Sequence, residues 1–379
     1  MNYIKYIFLV APVFLIGCSS QGGSGSTASE SGSGDGDEAP SETLTAASRT
    51  VPDFDSMTLA VTQANTTGLD IVGETVTVTV RVADNLNDQT VLDGTIVNFA
   101  TEGGAIEENC TLASGACSVV WTSQSPIPAD GRSTVIAYMN GSESFADLNA
   151  SGFYDENDLF NDAAVDARGD QLRPDLSEPF LNDNKTSFID PNRPAFFGTN
   201  INFDSTRDPN EVFFDSPGLT SNSFDGPDGL FSGASCAHPT DCSPTPEIFI
   251  WRDTEIIMGG NDPRVTIYTS DPRTNAAAAE LAGNVNVVGN GVQTLFIAYH
   301  DRNGNPLASG TTVSISAEDV AISGLVSFDI GSIRFPTVSI IDIIGDDTSS
   351  TGRVEIRVTT PGSALISGTE DVFVIRTND

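Results

Sequence analysis

The chain has 379 residues, with 52 acids against 17 bases and a formal net charge of −35. Such a charge is repelled by nucleic acid and by anionic lipid surfaces, which makes both poor partners. No Gly-x-Ser-x-Gly elbow, P-loop, dinucleotide fingerprint or His-Glu-x-x-His motif is present, and His238 and His300 lack a neighbouring nucleophile pattern, so no catalysis is expected. A carboxylate pair for glycoside hydrolysis would arise by chance among so many acids, and an envelope hydrolase is the weakest of the readings.

Residues 1–18 place Lys5 before an apolar run from Tyr6 to Ile16, followed by Leu15-Ile-Gly-Cys18. The run is too short to span a bilayer and has the layout of a signal peptide. Small residues before a cysteine resemble the lipobox of bacterial lipoproteins. That resemblance implies lipid on Cys18, and Ser19 after it implies sorting to the outer membrane of a Gram-negative bacterium. Several acyl chains anchor far more firmly than one. Residues 19–52 are Ser, Gly, Thr, Ala and acids with almost nothing apolar, which predicts a flexible tether. About 330 residues remain, enough for two or three domains.

From 53 to 142 the pattern is strand, turn, strand. Glu74 to Ala83 alternates with period two, so Val76, Val78, Val80 and Val82 share one face. Residues 96–100, 117–122 and 133–138 continue the run between Asp/Asn/Gly clusters, the signature of a β-sandwich. Trp121 is expected in that core. Cys110 and Cys117 flank a hairpin tip at 111–116. With Cys236 and Cys242 they make four cysteines in an oxidising compartment, and three pairings are open. The local one is preferred. A zinc site fits less well, because the spacings are not Cys-x-x-Cys.

Residues 143–283 are rich in Asp, Asn, Pro and Gly, and hold two similar stretches, Glu143 to Asp155 and Glu178 to Asp190. Both read Glu-x-Phe-x-(Asp/Asn)-x-Asn-x-(Ser/Thr)-(Gly/Ser)-Phe-x-Asp. Side-chain oxygens at positions 1, 3, 5 and 9, with a small residue at 6, are what a Ca2+ loop needs. The first copy offers Asp147, Asn149, Ser151, the Phe153 carbonyl and Asp155, with Gly152 at the turn and Asp158 as the closing carboxylate. No helical pattern flanks it, and it resembles the calcium loops of many secreted bacterial proteins. The second offers Asn182, Asn184, Thr186, the Phe188 carbonyl and Asp190, but Ser187 replaces the glycine and Arg193 the closing acid. It is a degenerate loop, or one sharing an ion with Asp162, Asp166, Asp170, Asp175 or Glu178. For either copy the competing reading is a set of solvated Asx-turns. Bound metal would account for order in so long a loop-rich stretch. Phe224-Asp-Gly-Pro-Asp-Gly adds a polar turn, and 274–281, with four alanines, is the one expected helical turn. Residues 247–252 and 255–258 read as strands that complete the first sandwich or form their own sheet.

Residues 284–379 repeat the strand pattern, with Gly352 to Pro361 and Val372 to Ile375 as closing strands. Gly94-Thr-Ile-Val-Asn-Phe-Ala-Thr-Glu-Gly-Gly-Ala-Ile, then Gly115-Ala-Cys-Ser-Val-Val-Trp-Thr-Ser and Val135-Ile-Ala, resemble bacterial immunoglobulin-like domains of the invasin and intimin type. Asp301-Arg-Asn-Gly-Asn-Pro-Leu-Ala-Ser-Gly-Thr-Thr-Val-Ser matches that family's turn and strand as a second copy. The resemblance implies surface stalks and adhesive tips, although no outer-membrane barrel is present here. The predicted fold is all-β: two immunoglobulin-like β-sandwich modules, 53–142 and 284–379, joined by a loop-rich, calcium-stabilised segment. The predicted function is a lipid-anchored structural or adhesive envelope protein, facing the periplasm or the outside. Its partners would be the membrane, through Cys18, and an envelope or host/matrix protein or a glycan. A carbohydrate-binding surface lipoprotein is the alternative. It requires Phe249, Trp251 or Tyr268 on an exposed face, although alternation with Ile248 and Ile250 makes one side of that strand core. Arg168-Gly169-Asp170 is a three-residue match of little weight.

Overall fold

The computed structural model describes residues 51–83, 93–164, 171–182, 207–217, 223–275, 278–346, 350–362 and 367–377. Cys18, the leader and most of the tether lie outside the described residues. So do Asn184, Thr186, Phe188, Asp190, Asp166 and the Arg168-Gly169-Asp170 match. No helix occurs among the described residues, and the architecture is all-β.

The strands of the first sandwich are β1 (Thr58–Val61), β2 (Asn65–Thr66), β3 (Thr75–Arg81), β4 (Ile96–Thr101), β5 (Ala105–Ile106), β6 (Asn109–Thr111), β7 (Ala116–Thr122), β8 (Arg132–Gly141) and β9 (Ile248–Met258). They form a β1-β3-β7-β5 sheet facing a β2-β9-β8-β4-β6 sheet. Val76, Val78, Val80 and Trp121 of one sheet meet Val97, Phe99, Val135, Ala137, Met139 and Ile250 of the other in a single core. Period-two alternation on β3 puts its three valines at 0% exposure, each contributing about 1.5–3 kcal/mol by burial. Trp121 is likewise fully buried, and its indole N–H donates to the Gly103 carbonyl at 2.8 Å. The Cys110–Cys117 disulfide joins β6 to β7, so it staples one sheet to the other beside the hairpin at Ser114-Gly115.

The second sandwich holds β10 (Arg264–Tyr268), β11 (Val285–Val288), β12 (Val292–His300), β13 (Thr312–Glu318), β14 (Ala321–Gly324), β15 (Ser327–Asp329), β16 (Thr337–Ile344), β17 (Ser350–Thr359) and β18 (Ser367–Thr377). Its sheets run β10-β12-β16-β14 and β11-β18-β17-β13-β15. Leu295, Ile297, Tyr299, Val313, Ile341, Ile343, Val354 and Ile356 fill its own core. Where two short strands were expected at 247–252 and 255–258, one continuous strand, Ile248–Met258, pairs along β8 in the first sandwich. Residues 264–268 pair instead with β12 in the second. The helical turn expected at 274–281 does not form among the described residues. One turn closes from Asn275 N–H to the Asp271 carbonyl (3.0 Å), and Glu280 then bridges to Tyr268. Strand pairing at the end of β10 outweighs the weak local propensity of a short alanine run.

The two sandwiches meet through a polar junction. The Asn65 side chain is fully buried; its amide donates to the carbonyls of Leu307 (2.6 Å) and Gly331 (3.2 Å), and its oxygen accepts from Ile333 N–H (3.0 Å). Asp301, the first residue of the Asp-x-Asn-Gly-Asn-Pro turn, accepts from the N–H groups of Asn303, Asn305 and Gly260. Asn305 then donates to the Asp130 carbonyl (2.6 Å) and accepts from Arg132 Nε (2.8 Å), while Arg132 pairs with the buried Glu255 at 3.0 Å. Buried polar groups satisfied from both sides define one geometry, because any other leaves them unpaired.

Candidate metal centre

Beyond β8 the chain leaves the sheet and lies over its outer face. Thr134 donates to the Asn182 carbonyl (2.7 Å), the Tyr138 ring stacks on Phe214 (4.5 Å), and Phe180 meets Trp251 edge-on. The Trp251 indole donates to the Ser177 carbonyl at 3.1 Å. Phe249 packs against Tyr138, and Tyr268 is buried. Of the aromatic side chains that a flat glycan-binding face would need, Tyr268 is buried, while Phe249 and Trp251 are half-buried against neighbouring rings.

The segment is held to that face by carboxylates. Glu143, 1% exposed, accepts from Leu176 N–H and Ser232 N–H, both at 2.6 Å. Glu178 repeats the device with Ser216 N–H (2.8 Å) and Asp225 N–H (3.0 Å), and Asp175 accepts from Asp228 N–H and Gly229 N–H. Burial pushes all three carboxyls up, Glu143 to about 8, against the downward pull of the N–H groups. Phe145 and Phe180, two residues after the paired glutamates, enter separate aromatic clusters. Phe145 meets Tyr154 and Phe231; Phe180 meets Phe224 and Trp251. The Glu-x-Phe shared by both sequence copies is thus a backbone staple followed by an anchor. The sequence displayed this repeat without its role, because the donating N–H groups lie 33 to 89 residues away.

Between Phe145 and Phe160, which pack on Tyr154 and Phe231, the antiparallel bridge Ala146–Leu159 closes the base of the first loop. Tyr154 ties it to the neighbouring turn, accepting from Ala237 N–H and donating to the Ser235 carbonyl. That turn is closed by the Cys236–Cys242 disulfide, and His238 stacks on the Tyr154 ring. Within the loop, Asp147 accepts from Ser151 N–H (3.0 Å) and Gly152 N–H (2.7 Å). Gly152 takes φ +74°, which glycine adopts without strain, and Ala150 takes φ +56°. Asp158 reaches both limbs, accepting from Leu148 N–H and Asp155 N–H, each at 2.9 Å. Asn149 donates to Asp155 (2.9 Å), and Ser151 Oγ donates to the Phe153 carbonyl (3.0 Å). N–H groups of Asn157, then Asn149, hold the Asp155 carboxyl below its ordinary value.

The six positions therefore share one hydrogen-bonded turn, and their donors are all oxygens, which suits a hard cation. Among the described residues, no three His, Cys, Asp or Glu side chains converge closely enough to hold an ion by themselves. An ion here would need the Asn149 amide, the Ser151 hydroxyl and the Phe153 carbonyl as well as the acids. Of the second copy, Asn182 is buried against β8. Of the acids offered to share its ion, Asp162 pairs with Arg173 at 2.7 Å, while Asp175 and Glu178 accept from backbone N–H groups.

No family model matches the chain, and no curated protein matches it. Among solved structures it is similar to the Yersinia pseudotuberculosis adhesin InvE at 10% identity, over 86% of this chain and 61% of that one, with a TM-score of 0.23. InvD of the same organism gives 10% identity, 86% and 58% coverage and a TM-score of 0.32. The D0-D1 domain of intimin gives 9% identity, 84% and 97% coverage and a TM-score of 0.21. The chain spans about three fifths of the length of the two Yersinia chains. Likeness at this level carries nothing about partner or activity.

Proposed function

We propose that this chain is a structural or adhesive protein of the bacterial cell envelope, anchored by lipid on Cys18 and stiffened by calcium in the 147–158 loop, without catalysis. The observation that carries the reading is the first loop. Asp147, Asn149, Ser151, the Phe153 carbonyl, Asp155 and Asp158 occupy one closed turn fastened at its base to an aromatic cluster. A cation there would replace hydrogen bonds among the loop's own groups with coordination and neutralise part of a dense negative charge. The supporting frame is two sandwiches locked by Asn65, Asp301 and Asn305, a geometry suited to holding a surface at a fixed distance and angle. The resemblance of residues 94–106 and 301–314 to invasin- and intimin-type modules supports the adhesive part of the reading.

Calcium titration of the full chain by calorimetry, with limited proteolysis with and without chelator, tests it. Saturable binding is expected, with calcium protecting the stretch 143–245. Asp147→Ala should abolish that protection while both sandwiches stay folded. Wild-type calcium binding and protease resistance in this variant would refute the loop assignment and leave Asx-turns.

A further inference from the structure

The corner where the chain enters the first sandwich holds a second set of oxygens, apart from the loop. Phe54 N–H donates to the Ser142 carbonyl (3.2 Å) and Ser142 N–H to the Pro52 carbonyl (2.8 Å), laying residues 52–54 alongside the exit of β8. This brings Asp53 against Ser144. Asp53 is 1% exposed; its Oδ1 accepts from Asp55 N–H (2.8 Å) and from the Ser144 hydroxyl. Ser144 Oγ in turn accepts from Asp55 N–H at 2.9 Å. Asp53 Oδ2 is buried and has no hydrogen-bond partner. Asp55 is exposed, and its carboxyl acts directly on that of Asp53.

A buried carboxylate oxygen without a donor is costly, and a second carboxylate beside it adds repulsion. Such a pair needs positive charge, either a proton held between the two groups or a metal ion. We propose that Asp53 and Asp55 form a cation site that takes a hydrated hard divalent ion, calcium or magnesium. Two carboxylates balance its charge, and the open Asp55 side admits the water ligands that complete its shell. The ion would link the entry of the first sandwich to Ser144, three residues before the loop, and its binding does not depend on the loop being a calcium site.

The test removes the loop ligands first. In the full chain carrying Asp147→Ala, Asp155→Asn and Asp158→Asn, calorimetric titration with CaCl2 and separately with MgCl2 is expected to retain one binding event per chain. Because the loop acids are already absent, failure of the loop reading leaves this result unchanged. Asp53→Asn added to that background should abolish the event, since an amide oxygen still accepts from Asp55 N–H and Ser144 but the charge is gone. Asp55→Asn, at an exposed position, should weaken it about tenfold or more. If Asp53→Asn fails to fold, Asp55→Asn alone decides. No binding in the loop-deleted chain, or binding that survives both substitutions, overturns the proposal. A thermal midpoint that ignores both cations, with an acid dependence that Asp53→Asn reduces, assigns a shared proton instead, and overturns it equally.

Discussion

Replacing Glu143 by glutamine separates the two roles of that carboxyl, as a double acceptor and as a titrating group. In the folded chain burial pushes it from 4.5 to about 8, so at neutral pH the folded state holds a proton that the unfolded state has lost. A raised carboxyl stabilises fully below its unfolded value, and the contribution is lost as pH climbs from 4.5 through about 8. At about 1.4 kcal/mol per pH unit, that window corresponds to about 5 kcal/mol at most. Glutamine does not titrate, but its amide nitrogen must face either Leu176 N–H or Ser232 N–H, leaving one buried donor without an acceptor at a cost of about 1–3 kcal/mol. Near pH 5, Glu143→Gln should therefore be the less stable chain. As pH rises the wild type weakens more steeply than the variant, which retains only the other raised carboxyls such as Asp175 and Glu178, so the two curves converge or cross toward pH 8 and above. Hydrogen exchange at the Leu176 and Ser232 amides, corrected for intrinsic rates, reads this across the range. Parallel pH profiles for the two chains, or a flat wild-type profile, would refute the assignment of a buried, protonated Glu143.

The remaining predictions concern the frame. Asn65→Ala orphans the Leu307 and Gly331 carbonyls and Ile333 N–H at the junction, at about 1–3 kcal/mol for each buried group. Calorimetry should then resolve two melting transitions where the wild type shows one; an unchanged single transition would deny the junction its coupling role. Replacing Cys110 and Cys117 together by serine releases a short closed loop and should cost about 2–3 kcal/mol in the first sandwich only. A shift in the melting of the second sandwich would contradict that locality.

Much of the framework is readable along the chain because its causes are local. Alternation at Val76, Val78 and Val80 is a property of seven neighbouring residues, and these valines stand on the core side of β3. The local pairs Cys110–Cys117 and Cys236–Cys242 form because six or seven residues leave few other geometries. The order of oxygen-bearing residues from Asp147 to Asp158 is likewise plain in the sequence, whereas the bonds among Asn149, Ser151 and Asp155 needed the folded loop. Among the described residues of 274–281 no helix forms, and Glu280 instead bridges to Tyr268 at the end of β10, a pairing that a few residues of local propensity do not outweigh.

Composition and periodicity by themselves determined the all-β class, the core faces and the acidic loop, because side-chain alternation and turn chemistry act within a few residues. Only the tertiary structure decided that Glu143 and Glu178 staple the segment from within, that Phe249 and Trp251 pack against Tyr138 and Phe180, and that the Asp301 turn locks one sandwich to the other. Each of those depends on where a distant N–H or ring comes to rest. The Glu143 bonds span 33 and 89 residues and the Asn65 bonds more than 240, separations across which no local pattern carries information.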